Sequence, residues 1–139
     1  MSDAYSSCTE GSVEAGTITF GDATITFEKN DGNNAPMYYW NKTEAFRSVR
    51  MYAKNSMEMT ATKNIAKVVI NCAAPYSGTN YNGNDQMTTT AGTISKSADK
   101  LSVTIDGINS KSFTLANEYT ATTKGTQLRI VSMTITYAE

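Results

Sequence analysis

Thr17-Ile18-Thr19-Phe20-Gly21-Asp22-Ala23-Thr24-Ile25-Thr26-Phe27 reads as two alternating runs joined by two turn residues. Large apolar side chains fall on every second position with threonine between them, which is the period of a half-buried strand. Gly21 stands at the first turn position, where a type II′ hairpin needs positive φ. A two-residue loop then fixes the register. Ile18 opposes Ile25 and Phe20 opposes Ala23 on one face, while Thr19 opposes Thr24 on the other, so register and hydrophobic pattern agree.

The same period recurs along the chain. Residues 65–70 (IAKVVI) read as a central strand. Val49 and Met51, then Met57 and Met59, alternate with Arg50, Tyr52, Glu58 and Thr60 around the segment 53–56, which predicts a second hairpin. Strands follow at 93–95, at 101–105 with a turn at Asp106-Gly107, and at 113–115. The closing run 128–137 (LRIVSMTITY) is apolar at 128 and 130, then at 133, 135 and 137; the slip at Val131-Ser132 predicts a β-bulge. Asn41-Lys42-Thr43-Glu44 has the shape of a capping box and predicts one helical turn over 42–47. No three-turn helix appears. About nine short strands in one sheet would leave an apolar face wet. The expected fold is therefore all-β, a two-sheet antiparallel β-sandwich of jelly-roll or Greek-key order. Residues 1–16 show neither period and are expected to form an N-terminal arm, with the sandwich over 17–139.

Composition supports this class. Threonine occurs 21 times among 139 residues and leucine only at 101, 115 and 128, a bias toward pleated surfaces and away from helices. Lys plus Arg total 12 against 13 for Asp plus Glu, so the net charge of −1 leaves no electrostatic footprint for nucleic acid and no polybasic attraction to a membrane. The chain has no His, which excludes Ser-His-Asp, Cys-His and His-built zinc sites. No apolar run approaches the roughly 20 residues of a membrane helix, and residues 1–30 lack the pattern of a secretory signal. Polar faces built from Thr, Ser and Asn are a habit of extracellular and particle-surface β proteins.

Several stretches, taken in order, resemble a known module: 25–29 (ITFEK), 33–39 (NNAPMYY), 49–53 (VRMYA), 56–60 (SMEMT), 65–70 (IAKVVI) and 127–137 (QLRIVSMTITY). Together they are similar to a β-sandwich module of secreted and surface proteins of gut Bacteroidetes, over nearly all of 17–137. The resemblance implies an accessory module without catalysis, with glycans as the ligand class. This chain departs from the pattern by inserting 40–46 between the Tyr pair and Val49-Arg50, and by lacking a signal peptide or lipobox-like segment. Two settings fit. One is a virion protein of a phage infecting such bacteria, a head fibre or capsid decoration, with capsid proteins or further copies of the chain as partners. The other is a module excised from a secreted or cell-surface protein.

The candidate site is the cluster Asn33, Asn34, Tyr38, Tyr39, Trp40 and Arg50. Sugar rings present C–H faces that stack on Tyr or Trp and hydroxyls that pair with Asn and Arg, so a solvent-facing set of this kind binds glycans. The plainer reading splits Tyr38 and Tyr39 between core and surface and has Arg50 bond backbone carbonyls beneath the Asn turn. Tyr76, Tyr81 and Asp85 belong to the long irregular stretch 73–92, a second contact loop or a plain solvated loop. Asp85 is the one charge among 80–85, which argues against a calcium site there. An oxidising space would let Cys8 and Cys72 form one disulfide, although Cys72, ending an apolar strand, reads rather as a buried free thiol, and the pair without His makes no metal site. Among the carboxylates, Glu28, Asp31, Glu44 and Asp85 lie nearest these segments, and no spacing brings two together as a glycosidase requires. No catalytic residue, cofactor or metal is expected.

Overall fold

β2 (Thr17–Phe20) and β3 (Ala23–Glu28) form the expected hairpin, with Ile18 opposite Ile25, Thr19 opposite Thr24 and Phe20 opposite Ala23. Gly21 takes φ +61 while Asp22 stays outside the positive-φ region, the type II′ pattern. In the computed structural model, which describes residues 1–139, eight further strands complete an all-β fold. They are β1 (Ser12–Glu14), β4 (Met37–Tyr39), β5 (Ser48–Met51), β6 (Ser56–Cys72), β7 (Met87–Thr89), β8 (Thr93–Lys96), β9 (Ser102–Asn117) and β10 (Leu128–Tyr137). Every strand pair is antiparallel.

Two long strands organise the molecule. The 56–61 half of β6 pairs with β3, whereas its 65–72 half pairs with β10 along the same edge. On its other edge β6 is followed throughout by β9, and the register breaks between Thr60 and Ile65. Gly107 at φ +69 and Asn109 at φ +48 let β9 bend at that level. All ten strands belong to one hydrogen-bonded sheet, which the breaks in β6 and β9 divide into two halves that serve as the layers of the sandwich. One holds β2, β3, the first half of β6, the second half of β9 and β7; the other holds β1, β4, β5, β10, the second half of β6, the first half of β9 and β8. Ile25, Met57, Met59 and Leu115 from the first layer and Val49, Ile70, Ile105 and Ile130 from the second are fully buried. Each such side chain contributes roughly 1.5–3 kcal/mol of burial.

Three local expectations are corrected. β5 and β6 do not pair: β5 lies between β4 and β10, because the turn at 52–55 carries the chain from one layer to the other. Alternation placed Met51 and Met57 in the core but says nothing about which strand neighbours which. Asp106-Gly107 is a bend within β9 rather than a turn between strands. The helical segment shrinks to a 3₁₀ turn, Glu44–Phe46, and Asn41 Oδ1 accepts from the Thr43 amide at 2.8 Å, so no capping box forms. The predicted bulge is present, with the β10 register shifting between Ile130 and Ser132.

Residues 1–16 pack onto the sandwich. Tyr5 stacks on Tyr38 with centroids 4.4 Å apart, its hydroxyl donates to the Ala15 carbonyl at 2.9 Å, and β1 extends the second layer beyond β4. The Met1 amino group donates to the Val131 carbonyl at 3.0 Å.

Candidate functional site

β4, β5 and β10 lie side by side, and their alternation decides what faces outward. Tyr38, Val49, Met51, Leu128 and Ile130 point into the core, leaving Tyr39, Arg50 and Arg129 on the outer face. Arg129 is the direct cross-strand partner of Arg50. Each guanidinium lies over an aromatic ring: Arg50 is 3.6 Å from the centroid of Tyr39, and Arg129 is 3.9 Å from that of Tyr81. No carboxylate pairs with either arginine.

The stretch after β6 closes over this face. Asn82 is its anchor: its side-chain amide donates to the Ala73 carbonyl at 2.9 Å, and its Oδ1 accepts from the Arg129 amide at 2.9 Å. Backbone bonds from Gln127 to Tyr81 and from Gly83 to Gln127 tie the same segment down. Although Arg129 lies on the outer face of its strand, this cover leaves it only 8% exposed. Its Nε donates to Gln127 Oε1 at 2.9 Å, while Arg50 Nε is buried without a partner. Burial, and secondarily the Arg50 charge, pull the Arg129 pKa down from its ordinary value to about 10.

Between the loop and the inserted segment 40–46 lies a cleft of about 260 Å³. Tyr39, Trp40, Phe46 and Tyr76 supply its aromatic lining and Arg50 and Arg129 its charge; Asn41 and Ala73 complete it. Phe46 meets Tyr76 edge to face at 5.3 Å, linking insertion to loop. Arg47 covers the Trp40 ring at 5.2 Å and donates from Nε to the Asn41 carbonyl at 2.7 Å, which holds the insertion's turn. Tyr52 donates to the Tyr39 hydroxyl at 3.2 Å. The Tyr52 phenol is pushed up by burial and by Tyr39, with nearby Arg50 opposing the shift. A more open depression shares Trp40, Asn41, Phe46 and Tyr76 and continues over Lys42 and Thr43, so the cleft extends as a groove.

Of the residues singled out in the sequence, Tyr39, Trp40, Arg50 and Tyr76 converge on the cleft, and Tyr81 lies against Arg129. Tyr38 does not join them; it is 1% exposed and stacked on Tyr5. Asn33 and Asn34 are exposed and line no part of the cleft. The buried Asn55, not Arg50, braces their turn, donating to the carbonyls of Lys29 at 3.1 Å and Asn34 at 2.8 Å. Asp85 is held by Lys96 and Lys100, away from the cleft. The loop around it is not plainly solvated, since Asn82 and Asn84 are each 3% exposed. Arg129, Phe46, Asn41 and Ala73 were not anticipated. Arg129 had a signal, as the one charge within the apolar closing strand. A scan against protein-family models finds no match, and no curated protein matches the chain either.

Proposed function

We propose that the chain is a noncatalytic attachment module that holds a carbohydrate in the cleft of Tyr39, Trp40 and Tyr76. One observation carries the reading: aromatic rings and guanidinium groups without acidic partners converge on one accessible cleft, and Tyr76 is 49% exposed, an unusual position for a large aromatic side chain. Aromatic faces suit the C–H faces of a sugar, and arginine and asparagine suit its hydroxyls and acceptors. The cleft lining contains no carboxylate or thiol to act as acid, base or nucleophile, which favours holding over transforming.

A shallow cleft gives modest affinity per copy, and repeated display multiplies it. That suits either setting the sequence resemblance offers, a head fibre or decoration protein on a phage capsid, or a module of a secreted or cell-surface Bacteroidetes protein. The test is a glycan array probed with the intact chain and with Trp40→Ala and Tyr76→Ala. Binding that both variants lose supports the proposal; silence across neutral and acidic glycans overturns it. Light scattering separates the settings, a stable dimer or trimer favouring the virion and a monomer the secreted module.

A further inference from the structure

We infer that the ligand carries an oxyanion, a sugar carboxylate or sulfate ester, gripped jointly by Arg50 and Arg129; the identification of its carrier as a sugar rests on the glycan reading above. Like charges directly opposite each other on an antiparallel ladder repel, and folded proteins normally offset such a pair with an acid. Here none is supplied: the chain's ion pairs join Asp85 to Lys96 and Lys100, outside the cleft. Arg50 Nε is buried with its donor unused. An unmet buried donor costs free energy that an arriving acceptor recovers.

The geometry suits one oxyanion better than separate hydroxyls. Cross-strand partners hold their Cβ atoms about 5 Å apart, so the side chains of Arg50 and Arg129 rise as neighbours from one patch of sheet. The rings of Tyr39 and Tyr81 each lie against one guanidinium, with centroids 3.6 and 3.9 Å from its carbon, and restrict how it turns. Planar forks fixed in this way match the two or three oxygens of a carboxylate or sulfate, and a cover that excludes water strengthens the attraction. Tyr76, Trp40 and Phe46 then supply the apolar wall for the ring that bears the anion.

The experiment titrates the full chain, in a buffer free of carboxylate, sulfate and phosphate, with glucose, glucuronate, N-acetylneuraminate and glucose 6-sulfate, and with acetate and inorganic sulfate as free anions. Arg50→Gln, Arg129→Gln and Trp40→Ala are run alongside, each checked for native circular dichroism, with Arg50→Lys and Arg129→Lys substituted if a glutamine variant fails to fold. Acidic sugars are expected to bind about tenfold or more tightly than glucose, and each glutamine variant to erase that margin. Affinity should also fall as salt rises from about 0.05 to about 0.5 M. The carboxylate and sulfate arms decide which oxyanion is preferred. Equal binding of glucose and glucuronate, unchanged by Arg50→Gln and Arg129→Gln but lost in Trp40→Ala, would overturn the inference and leave the glycan reading standing. Arginine-dependent binding of acetate or sulfate with no gain from an attached sugar would instead sink the glycan reading and keep the oxyanion site. No binding by any probe overturns both.

Discussion

Arg129 on β10 stands directly opposite Arg50 on β5, and the two guanidinium groups share one face of the sheet with no acid between them. Their coupling is expected to be repulsive. In a double-mutant cycle with Arg50→Gln and Arg129→Gln, urea unfolding should show the second substitution costing more once the first has relieved the repulsion, by about 0.2–1 kcal/mol at low salt. Because exposed parts of the pair are screened, the coupling should shrink at high ionic strength. A favourable coupling energy would mean that the pair is bridged within the protein itself and has no need of an outside anion.

Asn82 holds the loop that covers Arg129 through its bonds to the Ala73 carbonyl and the Arg129 amide. Asn82→Ala leaves both backbone groups buried and unpaired, a loss on the order of 2–3 kcal/mol. Although Asn82 does not line the cleft, the variant should bind ligand more weakly, because Tyr76 and Tyr81 lose their support. Hydrogen exchange should show faster opening at the Gly83 and Gln127 amides, whose bonds tie the same segment down, with the β2–β3 hairpin unaffected. Uniformly faster exchange across the chain would mean that Asn82 serves global stability rather than this loop.

The fold was legible where period and turn chemistry act locally. Ile18, Phe20, Ile25 and Phe27 declare their face by alternation, and Gly21 declares the hairpin register. The slip at Val131-Ser132 likewise announced the bulge. Pairing between distant strands is another matter. Nothing in 48–51 says that its neighbour is 128–130 rather than the strand that follows it, since alternate residues point inward in either arrangement. The site shares that limit. Tyr39, Trp40 and Arg50 are close in sequence and were found together, whereas Arg129 joins them only through the β5–β10 pairing and Phe46 only through the 3₁₀ turn. Local alternation already offered Tyr38 to the core and Tyr39 to the surface, but Tyr38's partner there, Tyr5 from the N-terminal segment, is nonlocal and was not legible.

Two glycines separate strain from crowding. Gly83 has no positive φ, yet a Cβ there would collide with the Gly125 carbonyl oxygen and come within 2.7 Å of Tyr119 Cε2. Gly83→Ala should therefore cost about 1–3 kcal/mol and push the loop off its seat, which thermal unfolding and ligand titration would both register. Gly21 has open space around it but sits at φ +61. Gly21→Ala should cost roughly 1–2 kcal/mol, and Gly21→Asn less, since asparagine tolerates that region. Equal losses for alanine and asparagine at position 21 would contradict the assignment of strain to the backbone.

Cys72 ends β6 in the core, and burial pushes its thiol pKa from 9.0 up to about 12. Below pH 9 the thiol is protonated in both folded and unfolded chains and makes no pH-dependent contribution. Between pH 9 and about 12 the unfolded thiol gives up its proton while the folded one keeps it, so stability is lost as pH rises, at up to about 1.4 kcal/mol per pH unit from this group. The raised phenols of Tyr5, Tyr38, Tyr52 and Tyr137 act in the same direction, beginning about one pH unit below their ordinary value of 10.0. Arg129 acts oppositely above about pH 10, where burial makes the folded chain release this proton before the unfolded chain does. The difference between the parent chain and Cys72→Ala from pH 9 to 10 therefore isolates Cys72. Urea midpoints of the parent chain should decline more steeply there than those of Cys72→Ala, which starts from a lower stability. Native thiol labelling at pH 8 should meanwhile modify Cys8, which is partly exposed, well before Cys72. Parallel declines in the parent and Cys72→Ala would place the alkaline sensitivity in some other group.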